Sequence, residues 1–221
     1  MAFDLCPPAL IDKILAKTYD APLSRVGFKN IRPRFYVRAR LPEMNDVIEF
    51  YRNRFDLILV WGPSLNFVPH ITGGVENVRW HRTPKSARID LRYSGFDRHS
   101  RIEWSIQTTQ GDQTLSRSAQ LTLVEILPKA LAYFESVRVF SDLSAKFREA
   151  ALPNQWGWTL EMRCQEHLAY CFYLAKSGQE IEARKMMSAW LSRGFNSFRP
   201  ETLEKLSQHF EEATKTPITL Q

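Results

Sequence analysis

An α+β fold is predicted by three observations. Apolar and polar residues alternate in several stretches between residues 34 and 107, the period of a half-buried strand. Beyond about residue 115 the apolar spacing changes to three and four, the period of an amphipathic helix. The strand period does not return. Runs of strands followed by runs of helices give an antiparallel sheet, not a parallel α/β sheet. The expected architecture is a sheet of four to five strands with helices on one face, followed by a C-terminal helical extension.

The elements follow in order. Residues 8–18 read as a helix, with Leu10, Ile11, Ile14 and Leu15 at helical spacing behind Pro7-Pro8. Gly27-Phe28-Lys29 marks a turn. Residues 34–40 alternate, Phe35, Val37 and Ala39 against Arg34, Tyr36, Arg38 and Arg40, so the arginines are expected on the outer face. Leu41-Pro42 and Asn45-Asp46 read as a turn signal. Residues 47–52 and 55–61 read as two strands of a meander or as one long bent strand. Residues 62–84 hold Gly62-Pro63, Pro69, Gly73-Gly74 and Pro84 and read as an irregular excursion carrying His70, Trp80 and His81.

Residues 86–93 and 101–107 alternate again and read as an antiparallel hairpin around Ser94-Gly95-Phe96-Asp97, with Asp90 and Glu103 at outward positions, facing each other or nearby arginines in cross-strand salt bridges. Residues 115–137 read as a helix with an apolar stripe of Leu121, Val124, Leu127, Leu131 and Phe134. Pro128 should kink or divide it near Leu127. A short helix at 141–150 follows, with Ser141 as its cap. Leu152-Pro153-Asn154 is the expected boundary between a domain of residues 1–150 and a helical extension, 154–216, packed on it. The extension reads as helices at 158–176, 179–192 and 200–213, with Gly178 and Gly194 in the breaks and Pro200 opening the last. Leu168-Ala169, Phe172, Ala175 and Gly178, with Ala183 beyond, resemble a single helical hairpin of the tetratricopeptide kind. No second copy follows at the repeat period, so the small residues are read as packing.

Composition narrows the function classes. The chain of 221 residues is 44% hydrophobic and 24% charged, which suits a packed core and not disorder. Its net charge of +6 favours an acidic partner of some kind, but the basic residues are interspersed with acids. The opening Met-Ala-Phe-Asp-Leu-Cys-Pro-Pro lacks a basic segment followed by an apolar one, and no window is apolar enough to span a membrane. With only three cysteines, Cys6, Cys164 and Cys171, the expected location is the reducing cytoplasm.

Motifs for chemistry are sparse. There is no phosphate-binding loop, dinucleotide fingerprint, nucleophile elbow or paired-histidine zinc motif. Cys164, His167 and Cys171 fall at i, i+3 and i+7. A straight helix separates the two cysteines by about 10 Å, too far for two zinc bonds of about 2.3 Å. With Leu168 and Phe172 they read as a core stripe. His70, His81 and His99 sit in or beside loops, and no nucleophile or carboxylate is spaced to single one out as a general base. The Gln155-Trp156-Gly157-Trp158 indoles read as an anchor for the helices. The expectation is therefore a binding protein, not an enzyme, with no cofactor and no metal.

One stretch carries a family resemblance. Gly27-Phe28-Lys29, Phe35-Tyr36-Val37-Arg38, Asn45-Asp46-Val47-Ile48-Glu49-Phe50, Phe55-Asp56-Leu57 and Trp61-Gly62-Pro63-Ser64-Leu65-Asn66-Phe67-Val68-Pro69-His70 occur in this order. The order resembles a bacterial family of unassigned biochemical function found among the immunity proteins of polymorphic toxins, over about residues 1–140. The family's usual glutamine-bearing strand reads Glu49-Phe50-Tyr51-Arg52 here. The resemblance implies neutralisation of a cognate toxin domain by direct binding, with no catalytic residue to carry over. The surface expected to make that contact is Arg34, Tyr36, Arg38, Arg40, Tyr51, Arg88, Arg92 and Arg101 on the strands, with His70, Trp80 and His81 from the excursion. Because the chain is basic, a toxin with an acidic cleft suits it better than a basic nuclease. The alternative is nucleic-acid binding, in which the same arginines and tyrosines track phosphates and stack on bases.

Overall fold

The computed structural model describes residues 5–53, 56–72, 77–80, 83–94, 105–109, 111–151, 164–192 and 199–218. The fold is α+β, with an antiparallel sheet and C-terminal helices. The expected boundary at 152–154, the indoles at 156 and 158, and Gly194 lie outside the described residues. The chain divides into two compact units. One comprises Met1–Arg40, Asn45–Pro63 and Arg92–Ser136; the other comprises Leu41–Met44, Ser64–Leu91 and Val137–Gln221.

The first unit begins with α1, Pro8–Arg25. Pro7 and Pro8 start it where a missing N–H costs nothing. Ile11, Leu15, Tyr19 and Leu23 repeat every fourth residue and are all buried. The helix runs a further two turns beyond the stretch read from the sequence, through Pro22. The turn at Gly27 (φ +88°) follows, and a side chain there would bring its Cβ to 3.3 Å from Arg38 Cδ. Only glycine meets both conditions without strain.

Strands β1 (Lys29–Arg32), β2 (Phe35–Leu41), β3 (Met44–Asn53) and β4 (Asp56–Leu65) lie side by side in that order. The expected turn at Asn45-Asp46 is strand instead, and Pro42-Glu43 makes the reversal. The free side of β4 is lined twice. β8 (Ser105–Gln107) pairs with Asp56–Ile58, and β7 (Tyr93–Ser94) pairs with Val60–Trp61. Both run antiparallel to β4, so 93–94 and 105–107 point the same way and do not form the two arms of a hairpin. Residues 87–92 are not strand. The expected 86–93/101–107 hairpin is therefore corrected to a single strand line interrupted between Ser94 and Ser105.

The helix expected over 115–137, kinked or divided near Leu127, is divided into α2 (Asp112–Glu125) and α3 (Leu127–Glu135). The division falls at Ile126–Leu127, where Pro128 cannot donate to the preceding turn. The stripe on α2 is not the predicted one. Leu115, Ser118, Ala119 and Thr122 are buried, while Leu121 and Val124 are exposed, Val124 by 64%. The Tyr19 hydroxyl donates to the Ala119 carbonyl at 2.9 Å, and the Gln107 amide donates to Ser118 Oγ at 3.0 Å. Small and hydroxyl-bearing residues let α2 lie close against α1 and β8, which the apolar pattern alone does not convey.

In the second unit, Pro69–Thr72 (β5) and Asn77–Trp80 (β6) form a two-stranded ribbon within the excursion read as irregular. A short 3-10 turn (Phe140–Asp142) leads into helix α4 (Leu143–Ala151), and the Asp142 carboxylate reaches back to accept the Arg138 and Val139 amides at 2.7 and 3.0 Å. These bonds hold the Asp142 carboxyl below its ordinary range. Helices α5 (Cys164–Lys176), α6 (Glu180–Ser192) and α7 (Pro200–Lys215) complete the unit. Gly178 (φ +74°) closes α5, its amide donating to Ala175 and that of Gln179 to Leu174. Ala169, Ala175 and Ala183 are buried, so the small residues serve packing. Phe172 meets Phe210 of α7 edge to face at 5.6 Å. Among the described residues, no helix is long and apolar enough to cross a membrane.

Candidate partner-binding surface

The helix-facing side of the first unit's sheet is the side that carries the arginines. Tyr19 of α1 meets Phe50 of β3 edge to face at 4.6 Å, and Phe50 meets Tyr36 at 6.2 Å. Tyr36 is buried, and its hydroxyl donates to Asp20 of α1 at 2.7 Å. Burial, reinforced by Asp20, raises the phenol well above its ordinary range.

Arg38 is held on every side. Its Nε and Nη2 donate to Asp46 Oδ2 at 2.9 and 2.7 Å, and its Nη1 donates to the Val26 carbonyl at 3.0 Å. The guanidinium lies over the Phe28 ring at 4.8 Å and the Phe134 ring at 5.8 Å. Its side chain is 14% exposed and that of Asp46 is 2% exposed. Burial lifts the Asp46 carboxyl above its ordinary range, against the pull of Arg38. Arg40 donates to the Phe134 carbonyl at 3.0 Å and pairs with Glu135 at 3.5 Å.

The expectation that Arg34, Tyr36, Arg38 and Arg40 form an open outer face is therefore corrected. Alternation fixes which residues share a face, not which face is outside. A guanidinium can turn inward when carboxylates and aromatic rings await it. The partners Asp12, Asp20, Asp46 and Glu135 carried no signal in the sequence. They come from α1, β3 and α3, and only the fold brings them to β2.

Arg34 sits at a special point. Pro33 and Arg34 form the two-residue turn between Arg32 and Phe35, and Arg34 has φ +66°. Pro first and a positive φ second is the pattern of a type II turn, whose second place favours glycine or asparagine. The left-handed backbone costs another residue roughly 1–2 kcal/mol. Arg34 Nε donates to Asp12 Oδ1 at 2.6 Å, the two side chains being 18% and 34% exposed. A partly exposed pair of this kind contributes roughly 0–1 kcal/mol, so it does not outweigh the backbone cost.

Tyr51 and Arg92 remain exposed. Tyr51 is 46% exposed, the Arg92 guanidinium lies 5.1 Å from its ring, and Arg52 beside it is exposed as well. A cation over an exposed aromatic ring is a common contact element in protein interfaces.

In the second unit, the Arg88 amide donates to Ser64 Oγ at 3.2 Å, and its guanidinium reaches the Ala87 carbonyl. His70 is half-buried in β5 and Trp80 ends β6. The Trp80 side chain, His81, His99, Arg101 and Glu103 lie outside the described residues. Asp90, expected to face outward, is fully buried. Its Oδ2 accepts the Leu65 amide at 2.7 Å and its Oδ1 accepts Gln165 Nε2 at 2.8 Å, while Gln165 also donates to the Pro69 carbonyl. Burial pushes this carboxyl well above its ordinary range, with the two hydrogen bonds opposing. The node joins the end of β4, the start of β5 and α5. Asp90 itself has no access to solvent, and the node reads as architecture.

Cys171 and His167 are buried on α5, and burial raises the Cys171 thiol to about 12. A protonated thiol is neither a nucleophile nor a metal ligand at neutral pH. Among the described residues, no group of three or more His, Cys, Asp or Glu is gathered as a metal would need.

Compared with models of protein families, with curated proteins and with solved structures, the chain matches none of them.

Proposed function

We propose that the protein is an immunity protein that neutralises a cognate antibacterial toxin by direct binding, without catalysis. The observation that carries this reading is the ordered series of motifs between Gly27 and His70. Phe28, Val37, Val47, Ile48, Phe50, Leu57, Trp61, Leu65, Phe67 and Val68 of that series are buried. The resemblance thus lies in residues that build a fold, and partner choice falls to exposed residues around them. Tyr51 with Arg92, and Arg52 beside them, are the contact residues this reading favours. The net charge of +6 suits a toxin with an acidic cleft.

The test is a tagged pull-down from the native bacterium at moderate salt, followed by mass spectrometry. One stoichiometric protein partner with toxin activity is the expected result, and a Tyr51→Ala/Arg92→Ala double variant should bind it at least about tenfold more weakly. Recovery of nucleic acid that washes off with salt would replace this reading with the nucleic-acid one. The engagement of Arg34, Arg38 and Arg40 with carboxylates weighs against that alternative, since paired guanidinium groups release fewer counterions from a phosphate backbone.

A further inference from the structure

We propose that the groove between α1 and the β1–β2 turn is a binding site for a carboxylate group, received by the guanidinium of Arg34 with Arg32 in the same lining. The site stands independently of the immunity reading. The groove encloses about 240 Å³ and is lined by Asp12, Leu15, Asn30, Arg32, Arg34 and Tyr36 among others. That is smaller than the usual pocket for a drug-sized ligand and suits a group of a few heavy atoms. Arg32 and Arg34 bring guanidinium groups to its walls, beside the carboxylate of Asp12.

The guanidinium of Arg34 is already positioned. Its Nε is fixed by Asp12 Oδ1 and its Nη2 reaches the Pro8 carbonyl at the long distance of 3.5 Å. Its Nη1 takes no partner among the described residues. A guanidinium held in one orientation with donors to spare binds a carboxylate without first losing side-chain freedom. Asp12 therefore acts as the orienting group and Arg34 as the receiving one. Arg32 is also shaped by its surroundings, its guanidinium lying 3.9 Å from the centroid of the Phe35 ring.

The backbone supplies the second line of argument. The turn would form more easily with glycine at position 34, and the Asp12 pair does not recover the difference. A side chain that the hairpin does not need, standing at a backbone conformation it disfavours, points to a position where the side chain itself is used. The flat, two-oxygen carboxylate matches the remaining guanidinium edge. Phosphate can take the same two parallel hydrogen bonds from a guanidinium, so it serves as the competing anion in the test.

The test uses the full chain labelled with nitrogen-15 and follows by NMR the backbone amide signals of Asn30 and Tyr36 in the groove lining, together with the Nε–Hε signal of Arg34 where that residue is present. Three probes are titrated: glutarate, the blocked peptide acetyl-Gly-Glu-Gly-amide, and inorganic phosphate. A saturable shift with glutarate in the millimolar range is expected, weakened at least tenfold by Arg34→Gly and severalfold by Arg32→Gln. Glycine suits the turn, so circular dichroism of Arg34→Gly should match the parent. Binding of the peptide as well would assign the carboxylate to an acidic side chain of another protein, and binding of glutarate alone would assign it to a small free acid. No saturable shift, a response unchanged in both variants, or tighter binding of phosphate would overturn the proposal.

Discussion

Asp46 in the first unit and Asp90 in the second are both buried carboxylates, held in different surroundings. Asp46 meets a guanidinium, which itself is clamped between two phenyl rings and the Val26 carbonyl. Asp90 accepts hydrogen bonds from the Leu65 amide and the Gln165 side chain. Burial raises both carboxyls, but Arg38 opposes the rise at Asp46 by charge as well as by hydrogen bonding. A carboxylate paired with a cation loses most when its partner is removed, because an uncompensated charge is left behind. A carboxylate held by amides instead responds most to its own ionisation. The two sites should thus fail under different challenges.

The sharpest way to break the comparison is Asp46→Ala. It leaves Arg38 buried without its main counter-charge, and about 3–5 kcal/mol of stability should be lost. Urea denaturation measures this, and a loss below about 1 kcal/mol would mean that Arg38 behaves as a solvent-screened surface group.

Asp90 should show itself through pH. Its folded-state value lies above its unfolded value of about 3.9. Between the two, the unfolded chain has released a proton that the folded chain keeps. Stability therefore falls as pH rises through that interval, by about 1.4 kcal/mol for each pH unit crossed. Subtracting the denaturation profile of Asp90→Asn from that of the parent isolates the contribution, since Asp46 is common to both. A flat difference between about pH 4 and pH 8 would show that Asp90 ionises like an exposed aspartate.

Tyr36→Phe tests the less buried end of the same sheet face. Loss of the hydroxyl bond to Asp20 should cost about 1 kcal/mol, because Asp20 is exposed and water replaces the donor. A loss above about 2 kcal/mol would place Asp20 with the buried charges instead. The smallest effect is expected at the turn. Arg34→Gly should be neutral to within about 1 kcal/mol, the relief of the backbone offsetting the lost ion pair. A larger loss would show that Arg34 and Asp12 hold α1 to the hairpin and would remove the backbone argument for a functional arginine.

How much of this was legible in the sequence depended on which physical signal each element carries. The α+β order was legible because the change of apolar period is a property of the chain alone. The division at Ile126–Leu127 was legible because proline lacks its N–H wherever it stands. The inward turn of Tyr36 and Arg38 was not, since the carboxylates that receive them lie on α1 and β3. The α2 stripe was misplaced because Ser118 and Ala119 pack where larger residues would not fit, leaving Leu121 and Val124 outside. Residues 87–92 alternate like a strand, yet Asp90 is fixed by a β4 amide and a helix glutamine, partners that no local pattern announces. The excursion over 62–84 concealed a ribbon, because its glycines and prolines punctuate the strands without forbidding them.

The interrupted strand beside β4 has a practical consequence. Ser94 pairs with Val60 and Ser105 with Ile58, so the register of both segments is set by their neighbours on β4, on either side of Leu59. Chain can be lengthened or shortened at this seam without shifting the pairing on either side of it. Variation elsewhere in the sheet moves every later side chain to the wrong face. A tag or reporter spliced in between Ser94 and Ser105 should therefore leave both pairings with β4 in place.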